Sequence, residues 1–274
     1  MAKSLKNIVL VGVVGLAAAI AWVGYGFIVG GDGEASVPIV APTLKPEPTI
    51  AIVATVKPEN SEASVDEDVG MGANTKNGES AVPTASDVSS GREALLFQIV
   101  PGESTTRYEI DEVLLGKDKR VVGTTSEVAG QMIVNLADPH QSKVGVVRVN
   151  ARTFKTDSGK RDRAVRNFVL DSGKDKWEFI EFSPSEVRQL PDKVQLGDEL
   201  SFEILGDLKI RDSVKSVIFE ATINLESDRR IKGTASTVVT REDFGLRIPN
   251  VPKVSWVDDN VTLVIDLIAE RVES

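Results

Sequence analysis

Apolar and polar residues alternate along residues 199–226 in a way that predicts two consecutive β-strands. In the first strand every second position from 200 to 210 except Gly206 is a large apolar residue, namely Leu200, Phe202, Ile204, Leu208 and Ile210. After a short connection, the second strand repeats the pattern at Val217, Phe219, Ala221, Ile223 and Leu225. Because successive side chains of a strand point to opposite faces, each strand has one apolar face and one polar face. Two such strands predict a sheet that curls around an apolar interior.

Similar runs extend over the rest of the chain after residue 94, separated by clusters of Gly, Asp, Asn and Ser. The further predicted strands are Leu95–Val100, Tyr108–Leu115, Val128–Leu136, Val144–Ala151, Phe179–Phe182, a segment around Val187–Leu190, Ile231–Val239 and Val261–Ile268. One helix interrupts them, because Thr156-Asp157-Ser158 can cap it and Val165, Phe168 and Val169 then share a face. One short helix among about eight antiparallel strands favours a β-barrel, so residues 94–274 are predicted to form a mainly β barrel domain.

The N-terminal part of the chain contains an uncharged apolar segment at residues 8–30. As a helix it would be about 35 Å long, enough to cross a hydrocarbon core of about 30 Å. Lys3 and Lys6 precede the segment, which places residues 1–7 in the cytoplasm and the barrel domain outside it, in the bacterial cell envelope. A cleaved signal peptide is the alternative, but its apolar region is usually shorter, so the segment is predicted to be an uncleaved signal anchor.

Residues 31–93 differ in composition from both neighbouring segments. They contain eleven acidic and four basic residues, no aromatic residue and six of the twelve prolines, with Ser and Gly common among the rest. Such a composition buries too little apolar surface to offset the entropy of ordering, so an acidic, disordered linker is predicted. The whole chain carries a net charge of −9 and no dense basic patch, which argues against nucleic acid as a partner.

The residue types needed for common catalytic and metal sites are scarce. The chain has no cysteine and one histidine, His140, which lies in a turn-like segment and is expected to be exposed. Thiolate chemistry and histidine-based zinc sites are therefore excluded, and no serine has the glycines of a nucleophile elbow. If the protein were an enzyme, Asp157, Asp162 or Glu103 would be the acid–base candidates. We predict a protein without catalytic activity, bound metal or cofactor.

Several stretches after residue 95 resemble the YceI-like family of polyisoprenoid-binding proteins, whose shape is lipocalin-like. The resemblance is carried by Phe97-Gln98-Ile99-Val100-Pro101-Gly102-Glu103-Ser104, Tyr108, Val121-Val122-Gly123-Thr124-Thr125, Val128-Ala129-Gly130, Val149-Asn150-Ala151-Arg152-Thr153, Arg161-Asp162, Gly206-Asp207-Leu208 and Arg241-Glu242-Asp243-Phe244-Gly245-Leu246. These segments span about residues 95–272 in the order expected for the family. The sequence departs from the family pattern at two places where many members have a histidine, namely Pro101-Gly102-Glu103-Ser104 and Arg163-Ala164-Val165.

The resemblance implies an antiparallel lipocalin-like barrel with a long apolar cavity that holds an isoprenoid chain, such as a quinone tail or a polyprenyl lipid. The protein is then expected to be a membrane-anchored carrier or sequestering protein for such a ligand. The side chains expected to line the cavity are Phe97, Ile99, Met132, Val134, Phe168, Phe202, Ile204, Phe219, Ile223 and Leu263.

The alternating pattern by itself leaves one other interpretation open. The same inward side chains could fill a solid core, as they do in small closed barrels. In that case the domain would be a rigid interaction module carried on an acidic stalk. The pattern also leaves the oligomeric state and the identity of the ligand open.

Overall fold

The computed structural model of the protein describes residues 34–36, 38–44 and 94–273. The predicted cytoplasmic segment at 1–7, the predicted transmembrane segment at 8–30 and most of the predicted linker lie outside the described residues. Among the residues that are described, no helix has both the length and the apolar character needed to cross a membrane.

Antiparallel strands make up most of the domain, so the prediction of a mainly antiparallel β fold with one short helix is confirmed. The strands of the described residues are β1 (Leu95–Ile99), β2 (Thr105–Leu114), β3 (Lys117–Thr125), β4 (Val128–Ala129), β5 (Gln131–Val134), β6 (Lys143–Val144), β7 (Val147–Asn150), β8 (Phe179–Arg188), β9 (Glu199–Ile210), β10 (Ser213–Leu225), β11 (Arg230–Thr240), β12 (Val254–Val257) and β13 (Asn260–Arg271). The two strands that open the sequence pattern, β9 and β10, form a hairpin paired from Ser213–Ile210 to Asn224–Glu199.

Some strand boundaries differ from those predicted. The pattern did not predict β3, because its first half is charged and exposed and only its second half alternates. The two predicted strands at 179–182 and 187–190 are one strand, β8, which continues past Pro184 with a shift of register before Glu186. A bulge of this kind accommodates a residue that cannot donate a ladder hydrogen bond.

The sheet curls back on itself. Its main path runs in the order β4, β7, β8, β9, β10, β11, β13, β1, β5, β6. Gly130 alone separates β4 and β5 in the chain, and its carbonyl accepts a hydrogen bond of 2.9 Å from the Ile99 N–H. β4 is at one end of this path and β5 is near the other end. The two ends of the path therefore meet at Gly130, which makes the sheet barrel-like. β2 pairs with β13, β3 and β12 and extends the wall at one side.

In the described part of the chain one α-helical segment packs against the core, besides short 3-10 turns at Pro139–Gln141, Ala151–Thr153, Asp175–Trp177 and Glu242–Phe244. It consists of α1 (Gly159–Ala164) and a π-helical turn at Val165–Val169. In this turn the Leu170 N–H donates to the Val165 carbonyl at 2.8 Å, a spacing of five residues. Val165 packs against the core and Leu170 is buried in it.

Residues 34–36 and 38–44, here called the strap, lie against the outside of the domain. The Ser36 N–H and hydroxyl donate to the two carboxylate oxygens of Glu178, at 2.6 and 2.9 Å. The Val40 carbonyl accepts from Arg148 at 2.8 Å, and Ile39 is 5% exposed. These residues fall within the range predicted as a disordered linker, yet the structure places them on the domain. A composition averaged over sixty residues does not reveal a short segment that fits a tertiary surface.

Candidate functional site

Cross-strand register arranges the inward side chains in rows around the sheet. One row is fully buried, with every member at most 2% exposed: Ile99, Leu225, Ile231 and Ala269. A second row, nearer the middle of the strands, is also buried: Phe202, Ala221, Ala235 and Ile265. Ala221 and Ala235 are directly opposite each other, and their methyl groups leave more room inside the sheet than larger residues would.

The row between these two is only partly buried. Its members are all partly exposed: Leu200, Ile223, Gly233 and Leu267. Both neighbouring rows on the same face are buried, so this row is less covered than the rows beside it. Within the row Ile223 lies over Gly233, where an added Cβ would be 2.6 Å from the Ile223 side chain. The side chains of the row are hydrocarbon, as the wall of a site for a hydrocarbon chain requires.

Nine of the ten residues predicted to line the cavity belong to the inner core or pack against it. Six of them are at most 8% exposed: Phe97, Ile99, Met132, Phe202, Ile204 and Phe219. Three others are partly buried and pack against those residues: Val134, Ile223 and Leu263. Of the nine, Ile223 lies in the partly exposed row and is the best placed to contact a ligand.

Phe168 differs from the other nine because it is 40% exposed and is not part of the core cluster. The prediction assumed α-helical spacing, which places Phe168 on the same face as Val165. The π-helical turn has a spacing of five residues, which brings Leu170 into the buried position instead. The structure therefore does not bring Phe168 into the interior.

Two hydroxyl groups on the inner face of β2 were missed by the sequence reasoning. The register places Thr106 opposite Ile265 and Tyr108 opposite Leu263. The Thr106 Oγ1 and Tyr108 Oη atoms are buried and have no hydrogen-bond partner in the described part of the chain. The alternation around Tyr108 could have located both residues, but nothing in the sequence shows that their hydroxyls are unpaired.

The ring of Tyr108 is held in a fixed position. It lies over Gly123 of β3, where an added Cβ would be 2.2 Å from the ring, and meets Phe154 edge-on with the ring centroids 5.3 Å apart. Burial raises the pKa of the Tyr108 phenol to about 12. The hydroxyl therefore stays protonated at neutral pH and remains available as a donor.

Charged residues gather where β2 approaches α1. Arg161 donates to the buried Glu112 at 2.8 Å and also pairs with Asp157. Asp157 accepts a further bond of 2.6 Å from Lys119, which lowers the pKa of the Asp157 carboxyl. The single positive charge of Arg161 is thus shared by two carboxylates.

The acid–base candidates are already engaged. Asp157 is ion-paired as described, and Asp162 accepts from the Thr156 hydroxyl at 2.7 Å. Glu103 pairs with Arg230 at 2.8 Å on the surface. His140 is exposed, as predicted, and lies 3.1 Å from Asp192. Over the described ranges, no three His, Asp or Glu residues are arranged to hold a metal ion.

A cleft of about 810 Å³ opens on the surface near the end of β13. It is lined by Ser227, Arg229, Arg230, Glu270, Arg271 and Glu273. Its charged side chains pair with one another, as in Arg230–Glu270 at 2.7 Å and Arg229–Glu273 at 3.0 Å. An ion-paired surface of this kind does not suit a hydrocarbon chain.

Comparison with known proteins identifies the fold. The family model described as "YceI-like domain" matches residues 97–269. A polyisoprenoid binding domain from Saccharophagus degradans, implicated in plant cell wall breakdown, is similar in structure, with a TM-score of 0.50 and 10% identity over 65% of this chain and 99% of that one. BcnA from Burkholderia cenocepacia is similar with a TM-score of 0.50 and 13% identity over 62% of this chain and 98% of that one. The curated proteins contain no match to this chain.

Proposed function

This chain belongs to the YceI-like domain family, and on that premise we propose that it binds a long apolar ligand of the isoprenoid or quinone kind within its curled sheet. The observation that carries this proposal is the partly exposed row Leu200, Ile223, Gly233 and Leu267 between two buried rows. A solid core would bury this row as completely as its neighbours. Because the wall is made of hydrocarbon side chains, the hydrophobic effect favours a hydrocarbon occupant.

The similarity in fold to a polyisoprenoid binding domain supports the same ligand class. At 10% identity most aligned residues of the two chains differ, so the ligand class is argued from the residues of this chain. The inward rows of β9, β10, β11 and β13 are rich in Leu, Ile, Val, Ala and Phe. Such walls suit a chain of repeated hydrocarbon units better than a compact polar molecule.

Binding rather than catalysis is the role we propose. Asp157 is held ionised by Lys119 and Arg161, which removes it as a proton donor at neutral pH. Asp162 and Glu103 are occupied by Thr156 and Arg230.

Attachment to the membrane and an extracytoplasmic location complete the proposal. The uncharged segment at 8–30 supports an anchor, and Lys3 and Lys6 before it support a cytoplasmic N-terminus. An anchored domain would take its ligand from the bilayer in which such lipids dissolve, and would carry or sequester it in the cell envelope.

Lipid extraction tests the proposed ligand class. The full-length protein is purified from membranes in detergent, extracted with organic solvent and analysed by mass spectrometry. We expect an isoprenoid lipid at a substantial fraction of the protein concentration. Ala221→Leu adds bulk to the inner face of β10 and should reduce the recovery at least twofold, while Ser216→Leu on the outer face of the same strand should not. Repeated recovery of no lipid, together with no binding of added isoprenoids, would exclude the proposal.

A further inference from the structure

The hydroxyls of Thr106 and Tyr108 are both enclosed by the domain without a partner. Thr106 is 8% exposed, and neither Thr106 Oγ1 nor Tyr108 Oη has a hydrogen-bond partner in the described part of the chain. The two residues are two positions apart on β2 and point to the same side, so their Cα atoms are about 7 Å apart. A ligand in the interior could reach both.

Unpaired buried hydroxyls are unfavourable, because each loses its hydrogen bonds to water without replacement. Most buried polar side chains in folded proteins therefore have a partner. Other buried hydroxyls of this domain follow that rule, such as Thr125 with Thr153 and Ser104 with the backbone of Ile268, whereas Ser172, in the loop after the helical segment, is a third exception away from β2. Two exceptions side by side on an inner wall indicate that a molecule outside the chain supplies the partner.

The partly exposed row lies near these hydroxyls. Thr106 is opposite Ile265, and Leu267 of the partly exposed row is two positions further along β13. Tyr108 is opposite Leu263, which is also partly exposed. Thr106 and Tyr108 therefore lie on the same inner face as the partly exposed row, with the Tyr108 ring leaning towards β3.

The charges around the pair favour an uncharged ligand group. The ionisable groups that act on Tyr108 are Arg161, Asp162, Asp157 and Glu112. Arg161 is the one cation among them, and two carboxylates already share it. A phosphate would add negative charge beside three carboxylates, and the two cations of this cluster, Arg161 and Lys119, are already paired with Glu112 and Asp157.

We propose that Thr106 and Tyr108 form a polar subsite for an uncharged oxygen group, an alcohol or a carbonyl, on an otherwise hydrocarbon ligand, and that the subsite disfavours phosphorylated chains. This inference rests on the proposed function, because the ligand must first enter the curled sheet. The subsite would make the protein selective, because it would bind a neutral prenyl lipid more tightly than a pure hydrocarbon or a prenyl phosphate.

Competitive binding to the full-length protein in detergent tests the subsite with a long-chain polyprenol, its monophosphate and squalene, against protein-free micelles. The wild type should bind the polyprenol about tenfold more tightly than squalene, a difference of about 1.4 kcal/mol. It should also bind the polyprenol at least tenfold more tightly than the monophosphate. Tyr108→Phe and Thr106→Val should each reduce the preference for polyprenol over squalene, without weakening the binding of squalene.

Matched variants control for general effects of these substitutions. Tyr25→Phe changes the other tyrosine of the chain, and Thr234→Val changes an exposed threonine of β11; both should leave the preference unchanged. Each single variant is informative, so the test does not depend on a double substitution that folds poorly.

Equal binding of polyprenol and squalene by the wild type overturns the subsite and leaves the proposed function standing. The same holds if the variants keep the preference, which would show that the hydroxyls bind ordered water only. Binding of none of the three ligands overturns the proposed function as well.

Discussion

Tyr108 combines three properties that set it apart from the other inward residues of the sheet. Its ring is fixed by Gly123 and Phe154, its hydroxyl lacks a partner, and burial raises the pKa of that hydroxyl to about 12. A fixed, protonated donor beside an apolar space can select among ligands without a charged group. The same properties make Tyr108 a probe of the interior in the free protein.

Replacement of Tyr108 should change how stability depends on pH. In the unfolded chain the phenol ionises near pH 10, whereas in the folded protein it keeps its proton to about pH 12. Its contribution is therefore fully present below pH 10 and is lost as the pH rises to about 12, by about 2 kcal/mol. Chemical denaturation of the wild type and of Tyr108→Phe at about pH 9 and about pH 12 should show this loss in the wild type alone. A constant difference between the two proteins would contradict the burial of the phenol.

Gly123 should tolerate no side chain, because an added Cβ would lie 2.2–2.6 Å from three atoms of Tyr108. We expect Gly123→Ala to lower the free energy of unfolding by about 1–3 kcal/mol, measured by urea denaturation. Gly159→Ala is the control, since it opens α1 with nothing within 4 Å of the added Cβ. That change should be neutral or stabilising by up to about 1 kcal/mol. Equal effects of the two substitutions would show that the ring does not rest on Gly123.

Among the elements, the strap joins the N-terminal part of the chain to the wall of the domain. Arg152 is buried and bonds to the carbonyl of Glu34 at 2.7 Å, while the Leu44 N–H donates to Gln131 at 2.8 Å. Both ends of the strap are therefore fixed by side chains of the sheet and the loop after β7. A domain held in this way has less freedom at its N-terminal side than a free linker would give it.

Loss of Arg148 should loosen the strap. Arg148→Ala removes the bond to the Val40 carbonyl, and amide hydrogen exchange of full-length protein should then be about fivefold faster at Leu44. Arg188→Ala, which breaks a surface pair with Glu186 on β8, serves as the control and should leave this exchange unchanged. Unchanged exchange in Arg148→Ala would show that the strap is held by other contacts.

Sequence periodicity predicted the long strands well and the helical segment less well. In β9 and β10 the alternating pattern predicted Phe202, Ile204 and Phe219 on the inner face, and all three are buried. The prediction succeeds because strand geometry alone decides to which face of the sheet a side chain points. In the helical segment, the π turn makes Leu170 the buried residue and leaves Phe168 exposed, although the pattern predicted Phe168 to be buried. No local signal distinguishes a spacing of five residues from one of four, so this part of the site could not be predicted.

At the scale of the whole molecule, the sequence predicts an apolar interior but not whether it is filled. Ile223 and Leu225 are equivalent in the pattern, yet the first is partly exposed and the second is 2% exposed. The difference depends on which residues of other strands share each row, which is set by register across the whole sheet. The same limit applies to the hydroxyls of Thr106 and Tyr108, whose lack of partners is a tertiary property.

The predicted topology in the membrane can be tested with single cysteines, because the chain has none. Ser255→Cys places a thiol on the exposed strand β12, and Ser4→Cys places one before the apolar segment. In cells with a permeabilised outer membrane and an intact inner membrane, a membrane-impermeant maleimide should label Cys at 255 and should label Cys at 4 only after lysis. Labelling of position 4 in intact cells would reverse the proposed orientation.

Photo-crosslinking tests the central claim, that an apolar ligand lies inside the curled sheet, most directly. A polyprenol that carries a photoreactive group along its chain is added to the full-length protein, irradiated and mapped by peptide mass spectrometry. We predict adducts at inward residues of β9, β10 and β13, above all Leu200, Ile223 and Leu267. Adducts confined to outward residues such as Val214 and Val238, or to residues 8–30, would show that the ligand binds outside the sheet and would contradict the account.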